Sequence, residues 1–404
     1  MNILSKFSLI LLLTPTILSC KGQKPIEQSN KNSISNKQKV VGGGCDGCEL
    51  MFVSMPQEIT TSSTNPAWES GAQKLIITGT IFQRDGQTPA PNIIVYYWQT
   101  DSKGYYANRE DLDPKAQRHG YIRGWVKTGA DGKYRINTIR PAPYPNSNLP
   151  AHIHLSVKEP DISDEYYTDD LIFDDDKLLI PYLKRYPAEN RGGSGILRLL
   201  KQDELLIGEH DIILGLNIPN YPKKAIENRS GLNIGEDQPS FTPYHAYGPD
   251  KGSRACPVCK YGRYHGIIYF VGNNPNWPEI KKWLTFLESE SRKRQQYLKA
   301  YFVYGNVQQN AETIHRNELE RLGSELNIKH LALTIVPSFS DKASDIYLNK
   351  INPEVKNTFI IFSHRQIVAK YVELEASEEN YKMVSKTLDQ TQGDYFELKE
   401  VEYK

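Results

Sequence analysis

Short apolar segments separated by turn residues dominate the chain from about residue 74 to residue 216. The segments KLIITGTIFQ, NIIVYYWQT, GWVKT and KYRINTI are interrupted by the pairs Asp85-Gly86 and Asp131-Gly132. Asp-Gly between alternating segments is typical of β-hairpins. The pattern ends with AHIHLSV and EHDIILGLN. It predicts an all-β domain, a sandwich with long loops.

After about residue 250 the pattern changes to strands that alternate with helices. The segments GIIYFVG, YLKAYFVYG and HLALTIV are typical of strands, and NTFIIFSHRQIVAKYVEL of a hairpin. Between them, NWPEIKKWLTFLESESRKR and AETIHRNELERLGSELN carry apolar residues three and four positions apart, as amphipathic helices do. The order predicts an α/β domain over residues 250–404.

The element order of this second domain resembles the thioredoxin fold. In that family the Cys-x-x-Cys motif follows the first strand at a helix N-terminus, where a thiolate is stabilised. Here CPVC precedes the strand, and NNPNW at the expected place has no cysteine. We therefore expect a docking or structural domain rather than a thiol oxidoreductase.

The first twenty residues, MNILSKFSLILLLTPTILSC, place a lysine before an apolar run. About fifteen apolar positions are too few for a membrane span and are typical of a signal peptide. The ending Leu18-Ser19-Cys20 is similar to a bacterial lipobox, so residues 1–20 predict a lipoprotein signal peptide with Cys20 lipidated. An ordinary signal peptide is the alternative.

Residues 21–40 contain few apolar side chains and predict a flexible tether. We therefore expect an exported protein that is lipid-anchored to a bacterial membrane and faces the periplasm or the cell surface. No later segment is apolar enough to span a bilayer, so the lipid anchor is the expected membrane contact.

Length and charge restrict the classes of partner. With 404 residues the chain is long enough for two domains, and its net charge of +1 predicts no nucleic-acid partner. Cys45 and Cys48 lie in GGGCDGC, and Cys256 and Cys259 in CPVC. Export favours local disulfides, and a four-thiolate zinc site built from both pairs remains an alternative.

The stretch RPAPYPNSNLPAHIHLSV, residues 140–157, carries the candidate chemistry. His152 and His154 are two positions apart, so in a strand they share one face, while Ile153 and Leu155 share the other. With the apolar face in the core, both imidazoles project together. This is a favourable arrangement for two metal ligands.

The neighbouring aromatic residues indicate which metal. Nearby carboxylates would favour ferrous iron, but tyrosines are present instead: Tyr144 in PAPYP, and Tyr105 and Tyr106 in KGYY. A phenol has a pKa of about 10 in water, so only a strongly charged cation binds it as phenolate at neutral pH. Ferric iron meets this condition better than a divalent ion.

At these residues the chain resembles the intradiol ring-cleavage dioxygenases, the catechol and protocatechuate family. The matching stretches, LIITGTI, RGWVKTGADGKYRINTIRPAPYP, PAHIH and DLIFDDD, fall roughly within residues 74–220. The resemblance implies an intradiol dioxygenase-like β-sandwich over residues 41–245. It also implies a small aromatic diol and O2 as substrates, with cleavage of the ring to a muconate-type diacid.

The resemblance also implies a site. A non-haem Fe(III) would be held by Tyr106, Tyr144, His152 and His154, with Tyr105 a weaker rival to Tyr106. Tyr106 and Tyr144 would be the catalytic residues, and Tyr144 would leave the metal to act as a base.

Two positions depart from the family pattern. The arginine that usually precedes Pro-Ala-His-x-His is Leu149 here, and a glutamine of the family aligns approximately with Asp170. These changes are expected to alter which catechols bind, and whether they abolish turnover stays open. Arg123 or Arg140 could supply the missing positive charge.

Three further expectations concern a histidine near the site, an acidic run and an alternative function. His119 is interpreted as a surface-loop histidine, with a place beside the metal ligands as the alternative. The acidic run DDLIFDDD is interpreted as a solvated face rather than a calcium site. The alternative function is a non-catalytic surface lipoprotein that binds a ligand or partner through its two domains.

Overall fold

Two β-sheets pack face to face in the first part of the chain, and a third sheet with helices forms the rest. The computed structural model describes residues 40–44, 47–222, 227–262, 264–306, 312–393, 395 and 397–401. The predicted signal peptide with Cys20, and all of the predicted tether except Val40, lie outside these residues. None of the described helices is long and apolar enough to cross a membrane.

The first part of the chain consists mainly of short strands. In chain order they are β1 (Ser62–Thr64), β2 (Lys74–Phe82), β3 (Ile94–Gln99), β4 (Arg123–Lys127), β5 (Lys133–Ile139), β6 (His152–Lys158), β7 (Tyr166–Tyr167), β8 (Leu171–Phe173), β9 (Ile196–Leu197), β10 (Leu199–Gln202), β11 (Leu205–Glu209) and β12 (Ile212–Ile213). Helix α1 (Leu179–Arg185) precedes β9, and 3-10 helices lie at Val41–Gly43, Cys48–Phe52 and Pro114–His119.

These strands form two sheets with a shared core. One sheet has the order β1-β5-β2-β11-β10 with β12 beside β2, and the other has the order β4-β3-β6-β8-β9 with β7 beside β6. Leu75 and Ile77 of β2 lie in one buried cluster with Val95 of β3 and Ile153 of β6. Because inward residues alternate along each strand, the two apolar faces meet, and the predicted β-sandwich is present.

The second part of the chain alternates strands with helices. Its elements are β13 (Tyr244–Tyr247), α2 (Pro257–Tyr261), β14 (His265–Val271), α3 (Trp277–Lys293), β15 (Leu298–Gly305), α4 (Glu312–Glu325), β16 (Leu331–Val336), β17 (Thr358–Ser363), β18 (Gln366–Val372) and α5 (Glu378–Gln390), with a 3-10 helix at Ile346–Asn349. The sheet order is β13-β16-β15-β14-β17-β18. Strands β14, β15 and β16 are parallel, and β17 runs antiparallel to β14.

Helix α3 illustrates why this part folds as the sequence predicts. The Asn276 side chain accepts a hydrogen bond from the Glu279 N–H and so caps the helix. Ile280, Trp283 and Leu287 recur at helical spacing and are buried against the sheet. The element order expected from the sequence is present, and the likeness to the thioredoxin fold stays a prediction.

The two parts are joined by main-chain and side-chain contacts. The described residues from Val40 onward form one compact unit. The terminal strand β19 (Lys399–Glu400) pairs with β10 of the sandwich. The Arg198 guanidinium binds Asp237 at 2.9 Å and donates to the His364 carbonyl at 3.2 Å. The domain limits 41–245 and 250–404 stay predictions.

The cysteines of the second pair are oxidised. Cys256 and Cys259 form the local disulfide expected from the sequence. Cys48 is also disulfide-bonded, and Cys45 lies outside the described residues. Because Cys48, Cys256 and Cys259 are not available as thiolates, the four-thiolate zinc alternative does not hold in this structure.

Candidate metal centre

Strand β6 presents its two histidines on the face opposite the core. Ile153 and Leu155 are completely buried, whereas His152 and His154 are only partly buried. The strand pairs with β3 on one side and with β8 on the other. Because both neighbouring strands hold the backbone and the core holds the apolar face, the Cα–Cβ directions of the two histidines are fixed.

The two tyrosines come from separate loops that lie against each other. Tyr106 follows β3 and Tyr144 follows β5. The Ala142 N–H donates to the Asp101 carbonyl at 3.0 Å, which joins the two loops just before each tyrosine. The phenols therefore approach the histidine face from one direction.

A glycine permits this close approach. Gly104 has a φ of +87°, and a Cβ built at this position would lie 2.1 Å from the Pro143 carbonyl oxygen. Any other residue would collide with that backbone atom and would also be strained at this φ. The glycine of KGYY is therefore required for the two loops to touch.

The structure brings together all four side chains predicted as metal ligands. The Tyr106 Oη lies 2.5 Å from the Tyr144 Oη and 2.9 Å from the His154 Nε2. The Tyr144 Oη lies 3.2 Å from the His152 Nε2 and 3.4 Å from the His154 Nε2. Tyr105 is 58% exposed and hydrogen-bonds to none of them, so Tyr106 is the better candidate of the two.

Hydrogen bonds behind the histidines define their tautomers. The His152 Nδ1 donates to the Pro150 carbonyl and the His154 Nδ1 donates to the Asp170 Oδ1, each at 2.8 Å. Carbonyl and carboxylate oxygens can only accept, so each Nδ1 carries the proton of the neutral ring. Both Nε2 lone pairs therefore face the phenols, as metal-binding histidines require.

The protonation states follow from burial. Burial raises the pKa of Tyr106, and the adjacent Tyr144 hydroxyl and Asp170 carboxylate raise it further. Burial also raises the pKa of Tyr144, and burial together with His154 lowers the pKa of His152. At neutral pH the chain alone thus keeps both phenols protonated and His152 neutral. Only a strong cation would deprotonate the phenols here.

The donor set fits a ferric ion. Ligand atoms about 2.0–2.1 Å from one ion lie roughly 3 Å apart, and the tyrosine–tyrosine and tyrosine–histidine separations given above, from 2.5 to 3.4 Å, agree with that spacing. Two imidazoles and two ionisable phenols supply nitrogen and anionic oxygen. Such donors suit a small, highly charged cation better than calcium or magnesium.

A second grouping, His152, His154 and Asp170, also has ligand atoms within 4.8 Å of one another. Two histidines and a carboxylate would favour ferrous iron. However, Asp170 binds the Nδ1 of His154, on the side of the ring away from the Nε2 that faces the phenols. The carboxylate therefore supports a ligand rather than completing this set.

Two carboxylates of the acidic run after β8 bind residues that precede the predicted ligands in the chain. The Asp176 carboxylate accepts from the Ala151 N–H at 2.8 Å, directly before His152, and Asp175 pairs with Arg140 at 2.7 Å. The prediction of a solvated acidic face is therefore wrong for these residues. Their role depends on partners 25 and 35 residues away along the chain, which the acidic pattern does not reveal.

His119 is buried, so its interpretation as a surface-loop histidine is wrong. Its side chain is 4% exposed, and its ring stacks on Trp98 with centroids 4.1 Å apart. Trp98 in turn stacks on His154 at 4.9 Å. Since His119 is the last residue of a short 3-10 helix, the sequence offers no periodic signal for its burial. It supports the wall behind a predicted ligand.

Neither arginine considered for the missing positive charge hydrogen-bonds to the predicted ligands. Arg123 donates to the Tyr96 hydroxyl at 3.1 Å and to the Val53 carbonyl at 2.6 Å. Arg140 is paired with Asp175. Within the described residues, no lysine or arginine hydrogen-bonds to any of the four predicted ligands.

Comparisons with known proteins find similarity to dioxygenases over part of the chain. Residues 52–186 match a family model described as "Dioxygenase". Catechol 1,2-dioxygenase 1 of Acinetobacter lwoffii is 36% identical over 110 residues, which is 23% of this chain and 33% of that protein. The protocatechuate 3,4-dioxygenase beta chain of Burkholderia cepacia is 31% identical over 91 residues, 21% of this chain and 38% of that protein.

The chain spans about a third to two-fifths of the length of these curated relatives. The matches support the predicted resemblance to the intradiol dioxygenase family for this segment. All four predicted ligands, from Tyr106 to His154, lie inside it.

Two solved structures are also similar. The dioxygenase domain of a dioxygenase carbohydrate-binding protein fusion from Streptomyces sp. SirexAA-E is 21% identical, covers 40% of this chain and 91% of that chain, and has a TM-score of 0.30. The 3-chlorocatechol 1,2-dioxygenase from Rhodococcus opacus 1CP is 20% identical, covers 39% and 68%, and also has a TM-score of 0.30. The fold described above rests on this chain's own strand pairing.

We predict that Gly104→Ala weakens ferric iron binding by about tenfold or more, because the new Cβ would force the tyrosine loops apart. The measurement is iron bound per chain during titration with a chelated ferric salt. Gly71→Ala is the matched control, since Gly71 has a similar φ of +80° but no atom within 4 Å of the added Cβ. Equal affinities in the two variants would contradict the role of Gly104.

Proposed function

We propose that the sandwich is a non-haem Fe(III)-dependent intradiol dioxygenase that cleaves a catechol-type ring with O2 to a muconate-type diacid. One observation carries this proposal. The phenol oxygens of Tyr106 and Tyr144 lie 2.5 Å apart, and the Nε2 atoms of His152 and His154 both lie within 3.4 Å of the Tyr144 oxygen. The similarity of residues 52–186 to catechol 1,2-dioxygenases supports it.

A ferric ion bound there would supply Lewis acidity and a template for two substrate oxygens. The chain's residues bind and orient the ring and move its protons. Tyr144 would be a phenolate beside a bound ferric ion and could accept a proton from a substrate hydroxyl. The Tyr144 Oη is within hydrogen-bond distance of the Tyr106 Oη and of both imidazoles. The Tyr106 Oη lies closer to the His154 Nε2, at 2.9 Å, than the Tyr144 Oη does, at 3.4 Å. Trp98 supports the His154 ring from behind.

We predict that purified protein binds about one iron per chain, shows a visible tyrosinate-to-ferric absorption band, and consumes O2 with catechol. His154→Ala should lose the band and reduce O2 uptake by at least about a hundredfold, because one of four ligands is removed. His330→Ala, a histidine substitution in the second part of the chain, is the control and should match the wild type. Absorption and an oxygen electrode provide both readouts.

These measurements separate the two candidate functions. A wild type that binds iron but consumes no O2 with any catechol would favour the non-catalytic ligand-binding alternative. A wild type that binds no ferric iron would exclude the proposed activity.

We also predict a preference for catechols without a charged ring substituent. No described lysine or arginine hydrogen-bonds to the ligand set, Leu149 takes the place of the family's arginine, and Asp170 adds a negative charge. The Asp170 carboxylate should repel the carboxylate of 3,4-dihydroxybenzoate, and no arginine is present at position 149 to bind it. We therefore expect kcat/KM for 3,4-dihydroxybenzoate to be lower than that for catechol by about tenfold or more. Leu149→Arg should narrow this ratio, and Leu149→Met should not. A carboxylated substrate used as well as catechol would contradict the prediction.

For the location of the protein, we propose export and lipid anchoring through Cys20, supported by the apolar run and the Leu-Ser-Cys ending. Cys20→Ser should move the full-length protein from the membrane fraction to the soluble fraction and prevent labelling by a radioactive fatty acid. Ser19→Ala keeps a small residue before the cysteine and should leave both readouts unchanged. Fatty-acid labelling of Cys20→Ser at the wild-type level would contradict the proposal.

A further inference from the structure

Strand pairing places a carboxylate directly behind one predicted ligand. In the β6–β8 ladder His152 lies opposite Ile172 and Ile153 opposite Leu171, so the next position brings Asp170 beside His154. The Asp170 Oδ1 accepts from the His154 Nδ1 at 2.8 Å. The side chains are 35% and 20% exposed, so the pair is partly screened from water.

The carboxylate of the preceding residue, Asp169, binds a loop instead of a histidine. Asp169 accepts hydrogen bonds from the backbone N–H groups of Asn190 and Arg191, at 2.8 and 3.1 Å, and so holds a loop. The Asp170 carboxylate, by contrast, has His154 as its only hydrogen-bond partner among the described residues. Adjacent residues of the same type thus serve the loop and the predicted ligand separately.

The His154 ring is fixed on a second side. Its ring stacks on Trp98 with an interplanar angle of 21°, and Trp98 stacks on His119 with an angle of 4°. The stack restrains the tilt of the ring, and the Asp170 bond restrains rotation within its plane. The Nε2 lone pair therefore has one direction available, toward the two phenols.

We propose that Asp170 is a positioning residue that holds His154 and, through its negative charge, stabilises the ferric state of the bound iron. This inference rests on the proposed function. A carboxylate that accepts the Nδ1 proton makes the imidazole a stronger donor at Nε2. A neutral amide at the same place would hold the ring but would not add the charge.

The charges at the site give the physical reason. A ferric ion, two phenolates and the Asp170 carboxylate sum to zero formal charge. Reduction to ferrous iron would leave one uncompensated negative charge in a partly buried site, which is unfavourable. The centre should therefore have a lower midpoint potential than a variant with a neutral residue at position 170.

The test compares iron content, the tyrosinate-to-ferric band and the midpoint potential in full-length variants loaded with ferric iron. Asp170→Asn should retain close to the wild-type iron content, shift the band to longer wavelength and raise the potential, because the iron becomes more electron-poor. Asp170→Ala should also weaken iron binding by about tenfold to a hundredfold, since the ring loses its partner. Asp169→Asn removes an adjacent charge and should leave the band in place.

Each outcome decides the inference. An unchanged band and potential in Asp170→Asn, with iron bound, would overturn this inference and leave the proposed function intact. An equal shift of the band and the potential in Asp169→Asn would also overturn it, because the loss of any nearby negative charge would then have the same effect. A wild type that binds no ferric iron would overturn both the inference and the proposed function.

Discussion

Burial of one face of strand β6 is the constraint on which the candidate metal centre depends. Ile153 and Leu155 are completely enclosed by the sandwich core, which fixes the direction of the alternate residues. A slip of one residue in register would turn the imidazoles into the core and the aliphatic side chains out. The burial that stabilises the sandwich therefore also orients His152 and His154, with no further ordering cost for the strand.

Hydrogen bonds at the Nδ1 atoms of the two histidines fix the orientation of the rings, which the strand alone does not define. The Pro150 carbonyl and the Asp170 carboxylate select the same tautomer in both histidines. Asp176 holds the backbone immediately before His152, and the stack of Trp98 on His154 restrains the ring. The Pro150 carbonyl and the Asp170 and Asp176 carboxylates each accept a hydrogen bond, so these polar groups restrain the backbone and the rings of the two histidines.

The second part of the chain contributes to the sandwich itself. Strand β10 would otherwise form an exposed edge, and β19 from the end of the chain pairs with it. Arg198 links the sandwich to both Asp237 and the His364 carbonyl. Covered edges resist pairing with other chains. The sandwich sheet that contains β10 lies across the core from the sheet that contains β6. The α/β part therefore covers one edge of that first sheet.

Local patterns in the sequence predicted the main strands and helices that the structure contains, because side-chain alternation and helical spacing are short-range properties. His152 and His154 share a face for that reason alone, whereas Tyr106 and Tyr144 are predicted as ligands from the resemblance of their motifs to a known family. The hydrogen bond of Asp170 to His154, the burial of His119 and the hydrogen bond of Asp176 to Ala151 were decided only by the tertiary structure. Each depends on which distant strands and loops become neighbours, and short-range periodicity carries no information about that pairing.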